Sequence, residues 1–263
     1  MICTDQLGRT LTLNFEHSKL KIVSLVPSQT EFLFDIGLAE NVVGITKFCI
    51  HPAEALKQKT IIGGTKNINI KKILELEPDI VIANKEENEQ SQIEELMKQV
   101  PVWISDIYTL DDAYQMMLSL GEIFHKPNEA SAIVSEIKHN FLLINSKNTG
   151  KRVAYFIWRG PYMLAGEHTF INHLLEKMGL KNICVDLHSN SRYPEIDAES
   201  LKKLNPDLIY LSSEPYPFKN KHLDELQAIC PGANIQLVNG ELFSWYGSRL
   251  KHTAAYMQEL LSV

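Results

Sequence analysis

Nowhere in the chain do Lys and Arg gather into a stripe, and the formal net charge is −6. Nucleic acid and anionic membrane surfaces both need a basic footprint, so neither is expected as a partner. No stretch reaches the roughly 18 consecutive apolar residues of a membrane span, so the chain is not expected to cross one. Residues 1–14 lack a basic segment followed by an apolar one, so no signal peptide is expected there. That leaves a mature envelope protein and a cytoplasmic protein as open alternatives. Cysteine is sparse, and Cys3, Cys49, Cys184 and Cys230 show no CxxC spacing. A zinc ribbon or redox motif is therefore excluded, and reduced, mostly buried thiols are expected. The G-x-S-x-G elbow of a serine hydrolase is missing. Gly63-Gly64-Thr65-Lys66 lacks the spacing of a phosphate loop. Cys49 and His51 alone are a weak metal pair, and His168, His173 and His188 are scattered, so no protein metal site and no intrinsic cofactor are expected.

What is present is an ordinary globular composition over 263 residues, 44% hydrophobic and 22% charged. Such a length supports a sizeable core without disulfide or metal staples. The informative feature is an internal repeat. Residues 70–83 and 198–211 both read as an amphipathic helical turn, then Pro-Asp, then a short apolar run, at a constant offset of 128 residues. Proline ends the helix, and four apolar residues after it suit a buried strand. The likeness spreads outward. A strand at 21–25 precedes a helix at 31–36, for which Ser28 and Thr30 are candidate caps. A strand at 152–158 precedes a helix at 168–178. Each helix ends at a Gly-Leu pair, Gly37-Leu38 and Gly179-Leu180, as a left-handed C′ residue requires. Further strands are predicted at 42–45, 102–104, 182–185 and 235–238. Each half thus reads β-α-β-α-β-α-β, which predicts an α/β fold of two doubly wound lobes with mostly parallel sheets.

Residues 110–147 carry no strand signal. Apolar residues recur there at helical spacing, with Pro127 starting a second helix. The expected organisation is an N-terminal lobe over 1–108, a helical connector over 109–149 and a C-terminal lobe over 150–263. A stiff connector predicts rocking by a few degrees and no wide hinge closure.

Ligands of open α/β sheets bind beyond the carboxyl ends of the strands. With two facing lobes, these loops are expected to line one cleft. Those of the second half concentrate aromatics: Trp158, Tyr162, Tyr193, Tyr216, Phe218, Phe243, Trp245 and Tyr246, in a chain that is 8% aromatic. Such loops suit a large, flat, partly apolar ligand. Residues 241–249 are the densest segment, with Glu241 and Arg249 at its ends. Two other readings stay open. One is a two-lobed enzyme or carrier acting on a cofactor-like substrate, with Glu214 or Glu241 as acid or base. The other is a module whose aromatics bind a protein partner.

At these residues the chain resembles a known family. Ile22-Val23-Ser24-Leu25-x-Pro27-Ser28-x-Thr30-Glu31, Gly37-Leu38, Val43-Gly44-Ile45, Gly63-Gly64 and Leu74-x-Leu76-x-Pro78-Asp79-Ile80-Val81-Ile82 are similar to the class III periplasmic binding proteins. These serve ABC importers of cobalamin, ferric siderophores and haem, and the likeness is greatest to the cobalamin-binding branch. The resemblance implies a non-enzymatic, monomeric solute-binding protein of the periplasm or cell envelope. It implies a bulky metal-chelate ligand, cobalamin first and an iron siderophore or haem next, handed to an ABC permease. It places ligand contacts at Phe48 or Cys49, Thr65, Trp158, Arg159, Tyr162, Tyr193, Phe243, Trp245, Tyr246 and Arg249. Thr65 departs from the large aromatic that the cobalamin branch carries there. The resemblance also implies one docking Glu per lobe; the repeat places these at Glu199 and at Lys71, where the charge is reversed.

Overall fold

A computed structural model describes residues 1–16, 19–144, 150–187 and 189–262. His188 and residues 145–149 of the expected connector lie outside the described residues. By packing, the chain divides into two units. The first comprises Met1–Ile107, Asp111–His139 and Trp245–Lys251; the second comprises Tyr108–Leu110, Asn140–Ser244 and His252–Val263.

The first unit opens with an antiparallel ribbon, β1 (Ile2–Thr4) and β2 (Thr10–Thr12). There follow β3 (Ile22–Ser24), α1 (Pro27–Asp35), β4 (Val42–Ile45), α2 (Ala55–Gln58), β5 (Thr60–Ile61), α3 (Ile70–Glu75), β6 (Ile80–Asn84), α4 (Gln90–Leu96), β7 (Val102–Ser105), α5 (Leu110–Ile123) and α6 (Pro127–Leu142). The sheet order is β5-β4-β3-β6-β7, and every pairing is parallel. Strands β3, β6 and β7 are buried along their whole length, which is why they read as continuous apolar runs without alternation. Val23, Leu25, Val81, Ala83, Ile93 and Leu96 belong to the core of this unit.

The second unit contains β8 (Arg152–Trp158), β9 (Tyr162–Leu164), α7 (Phe170–Lys177), β10 (Lys181–Asn182), a 3₁₀ turn over Ile183–Leu187, β11 (Glu195–Ile196), α8 (Ala198–Leu204), β12 (Leu208–Ser212), α9 (Asn220–Ile229), β13 (Asn234–Val238), α10 (Glu241–Ser244) and most of α11 (Leu250–Leu261). Strands β10, β8, β12 and β13 pair in parallel. The edge is different: β9 turns back antiparallel on β8, and β11 pairs antiparallel with β9. The fold is thus α/β with mostly parallel sheets, as expected, with an antiparallel edge in the second unit that the repeat does not announce.

The repeat has a physical explanation at each of its positions. Asn69 caps α3 by accepting from the Lys72 N–H, and Asp197, 128 residues later, caps α8 by accepting from the Ser200 N–H. Beyond the helices the chain turns through left-handed residues, Glu77 at φ 50° and Asn205 at φ 46°. Asp79 then accepts from the Lys21 N–H at 2.8 Å, and Asp207 from the Arg152 N–H at 2.7 Å. The Lys21 ammonium reaches the Leu76 carbonyl and the Arg152 guanidinium that of Leu204, so a basic residue satisfies each helix's C-terminal end. The Pro-Asp pair therefore clamps a helix end to the start of the neighbouring strand, once in each unit.

Two expectations are corrected. Helix α1 begins at Pro27, which takes the first helical position where no N–H is needed. Ser28 and Thr30 do not cap it; Thr30 Oγ1 donates instead to Ser24 Oγ and the Val26 carbonyl. The strand expected at 182–185 ends at Asn182, because Asn182 Oδ1 accepts from the Cys184 N–H and starts the 3₁₀ turn. Beside the expected bounds 1–108, 109–149 and 150–263, packing groups the helices after β7 as follows. Ala113, Met116, Met117 and Leu120 of α5 are fully buried. The Gln29 amide donates to Met116 Sδ at 3.2 Å, and the Gln6 amide to the Asp112 carbonyl at 2.8 Å. Residues 111–139 thus belong to the first unit, as do residues 245–251. The Gly-Leu helix ends are as expected, with Gly37 at φ 82° and Gly179 at φ 71°.

Candidate functional site

The strand ends of the first unit carry Phe48, Cys49, His51 and Thr65. Phe48 is half-exposed, and the Lys47 ammonium lies 5.1 Å from its ring centroid. Cys49 is not displayed: it is fully buried, with its sulfur 3.2 Å from Thr30 Oγ1 and 3.3 Å from Thr46 Oγ1. Burial pushes its thiol pKa up despite these bonds. Thr65 is partly exposed, and its carbonyl accepts from the Asn88 amide at 3.0 Å. Asn84 Oδ1 in turn accepts from the Glu86 and Glu87 N–H groups, fixing the loop after β6.

Trp245, expected among the second-lobe aromatics, packs in the first unit. Its indole meets His51 edge-on at 5.4 Å, and the Arg249 guanidinium lies 5.2 Å from its ring. Arg249 is held by Glu31 through two bonds, Nε to Oε2 at 2.9 Å and Nη2 to Oε1 at 2.6 Å. The strap carrying these residues fits closely: a Cβ on Gly247 would collide with the Ser28 carbonyl oxygen. Trp245 and Tyr246 are buried, at 7% and 6% exposure.

The second unit presents the most open aromatic group. Trp158, at the carboxyl end of β8, is 41% exposed. Tyr216, in the loop after β12, meets it edge-on at 5.7 Å. Behind Tyr216 lie Phe218 at 4.8 Å and His222 at 5.6 Å, both buried. Tyr162 stands beside Phe156 and donates from its hydroxyl to Glu225. Burial first, and then that carboxylate, push its pKa up to about 12, so it stays a hydrogen-bond donor. Arg159 makes a two-pronged ion pair with Glu225, closest at 2.9 Å. Tyr193 is partly buried, and its N–H donates to Ser191 Oγ at 3.2 Å.

The sequence-based site is therefore partly regrouped. Trp158, Arg159 and Tyr162 form one cluster with Tyr216, while Phe48 and Thr65 lie on the first unit. Phe243, expected among the ligand contacts, lies in neither group. It is fully buried in the second unit against Tyr155 at 5.0 Å and Tyr210 at 6.3 Å. Glu225 and His222 were missed, because both sit on α9 and nothing local marks them. Among the described residues, no three His, Cys, Asp or Glu side chains gather to hold a metal. No helix there is long and apolar enough to cross a membrane.

Comparison with known proteins decides the family. Residues 22–232 match the family described as periplasmic binding protein. The chain belongs to that family. It is a substrate-binding protein of ABC importers, which deliver ligand to a permease, and not an enzyme. The reading of Glu214 or Glu241 as acid or base is thereby set aside; the Glu214 carboxylate accepts from Ser244 Oγ at 2.8 Å. An ABC transporter substrate-binding lipoprotein of Bacillus subtilis, YvrC, is 29% identical over 78% of this chain and 67% of its own length. The vitamin B12-binding protein of Pectobacterium carotovorum is 25% identical over 74% of this chain and 72% of its own. Among solved structures, the haem-binding protein RhuT of Roseiflexus matches 93% of this chain and 97% of its own, at TM-score 0.80 and 18% identity. The vitamin B12-binding protein BtuF of Vibrio cholerae matches 92% and 96%, at TM-score 0.74 and 19% identity. These structural likenesses establish a shared fold.

Proposed function

We propose that this periplasmic binding protein captures a corrinoid, with cobalamin as the first candidate and haem or a ferric siderophore next. The observation that carries this reading is the half-open indole of Trp158 braced by Tyr216 at the carboxyl end of the second sheet. A rigid aromatic face of this kind gives large contact area at low entropic cost to a broad macrocycle. Vitamin B12-binding relatives from Pectobacterium, Photorhabdus and Yersinia favour the corrinoid within that class. Phe48 and Thr65 of the first unit and Arg159, Tyr162 and Tyr193 of the second are the further proposed contacts. Trp245 and Arg249 act by bracing His51. The protein works as a monomer at the cell envelope and hands its cargo to an ABC permease. Exposed Glu199 at the start of α8 is one docking contact. On α3 the repeat-related position is Lys71, 3.9 Å from Glu75, so that contact offers a mixed charge pair.

The test is a panel titration by tryptophan quenching with cyanocobalamin, haem and a ferric siderophore. Saturable binding of cyanocobalamin is expected, weakened about tenfold or more by Trp158→Ala, as for a central aromatic anchor. Binding of haem or the siderophore with none of cyanocobalamin would move the protein to another ligand of the same class.

A further inference from the structure

Beside the Trp158 face lies a charge arrangement that ligand stacking alone does not require. Arg159 follows Trp158 in the chain. Its Nε donates to both oxygens of Glu225, at 3.3 and 3.1 Å, and its Nη2 donates to Oε2 at 2.9 Å. The Tyr162 hydroxyl donates to the same carboxylate. Both members of the pair are accessible, at 41% and 35% side-chain exposure. Partial burial raises the Glu225 carboxyl, but the bond from Tyr162 and the bond and charge of Arg159 outweigh it and hold it below the ordinary range. The two donors thus favour the anionic form of Glu225.

An accessible ion pair of this sort adds little to stability, so its placement asks for another account. A bare guanidinium beside an aromatic face would be a strong receptor for carboxylate edges, since its planar fork matches them in two bonds. Here two donors of that fork are occupied and its charge is cancelled. Lys219 and Lys221 also stand near this end of α9, where their charge is felt at His222. Without Glu225 the local field would be strongly positive.

We propose that Glu225 is a specificity-determining residue that neutralises Arg159 beside the Trp158 face, turning away flat ligands with anionic edges in favour of ligands with uncharged amide edges. This rests on the reading of Trp158 as a ligand-stacking face. An amide edge finds acceptors on Glu225 and donors on its neighbours. A carboxylate edge meets a like charge, and a like charge placed against the wrong ligand is an effective way to discriminate. The expected ligand class is a macrocycle or chelate rimmed by neutral amides, not one rimmed by carboxylates.

The experiment uses two probes, cyanocobalamin and pyrenetetrasulfonate, a flat fluorescent polyanion. Each is titrated into the wild type, Glu225→Gln and the double variant Glu225→Gln with Arg159→Gln. Glu225→Gln should raise affinity for the polyanion about tenfold or more, with a steeper salt dependence, and the double variant should return it to the wild-type level. The ratio of cyanocobalamin affinity to polyanion affinity should therefore fall about tenfold or more in Glu225→Gln. A polyanion affinity unchanged by Glu225→Gln, or a gain that survives loss of Arg159, overturns the proposal. The two claims separate cleanly. Polyanion gain without any cobalamin binding would overturn the corrinoid reading and leave the charge filter standing; cobalamin binding without polyanion gain would do the reverse. Thermal unfolding of each variant shows that the exposed substitutions leave the fold intact.

Discussion

Aromatic residues that look alike in the sequence divide into two kinds once their surroundings are known. Phe243 is fully buried among Tyr155, Tyr210 and Tyr256, while Trp158 is 41% exposed. Phe243→Ala should therefore lower the free energy of unfolding by about 3–5 kcal/mol, the cost of a large core cavity. Trp158→Ala should leave the denaturation midpoint nearly unchanged while weakening ligand binding. Urea titrations of both variants check this; a larger stability loss for Trp158→Ala than for Phe243→Ala would contradict the assignment. His222 sets a pH dependence. Its Nδ1 accepts from the Lys219 N–H at 2.9 Å, its ring packs on Tyr216 and Phe218, and Tyr216 braces Trp158. Burial lowers its pKa, with Lys221, Arg159 and Lys219 adding to the shift and Glu225 opposing it. The folded state thus favours the neutral ring. Its contribution is fully present above about pH 6.5, the unfolded value, and is lost as pH falls through the lower folded value. Ligand affinity and stability should fall together as pH drops below the ordinary histidine value, and His222→Gln should flatten that acid limb. An unchanged acid limb in the variant would assign it to another group.

At the scale of elements, the duplicated helix-Pro-Asp-strand unit was legible because it repeats at a fixed offset and because Pro, Asp and an apolar run each have one local meaning. Asp79 and Asp207 make the same bond to the start of a strand in each unit. The left-handed turn residue is the imperfect member of the repeat. A Cβ there crowds the following carbonyl, and Asn, whose short polar side chain can bond locally, offsets this better than Glu. Glu77→Gly should therefore stabilise the protein by up to about 1 kcal/mol, whereas Asn205→Gly should change it little. Differential scanning calorimetry of the two variants reads the contrast, and destabilisation by Glu77→Gly would show that its ion pair with Lys21 outweighs backbone strain. Other elements were not legible, for a common reason. The β8–β9 hairpin turns on three residues, Arg159 to Pro161, that could equally lead into a helix. The 3₁₀ turn after Asn182 depends on one side-chain bond. Helix α9 offers no local sign that Glu225 meets Arg159 and Tyr162, because these partners lie more than 60 residues away in the chain.

For the whole molecule, the α/β class and the family follow from residues spread along nearly all of the chain, and the match over residues 22–232 agrees. The division into units was less accessible. Residues 111–139 and 245–251 join the first unit through packing and ion pairs, such as Arg249 with Glu31, whose partners are separated by 218 residues. The aromatic loops at strand ends that make up the candidate site were readable, but their arrangement was not. Trp158, Arg159 and Tyr162 come together, while Phe243 turns inward and Trp245 pairs with His51. The central claim is that the chain is a corrinoid-binding protein without catalytic activity. Calorimetric titration with cyanocobalamin tests it most directly. The account predicts saturation at one corrinoid per chain, the corrin spectrum unaltered after prolonged incubation, and weaker binding by Trp158→Ala. Absence of saturable heat with folded protein, or chemical conversion of the corrinoid, would contradict it.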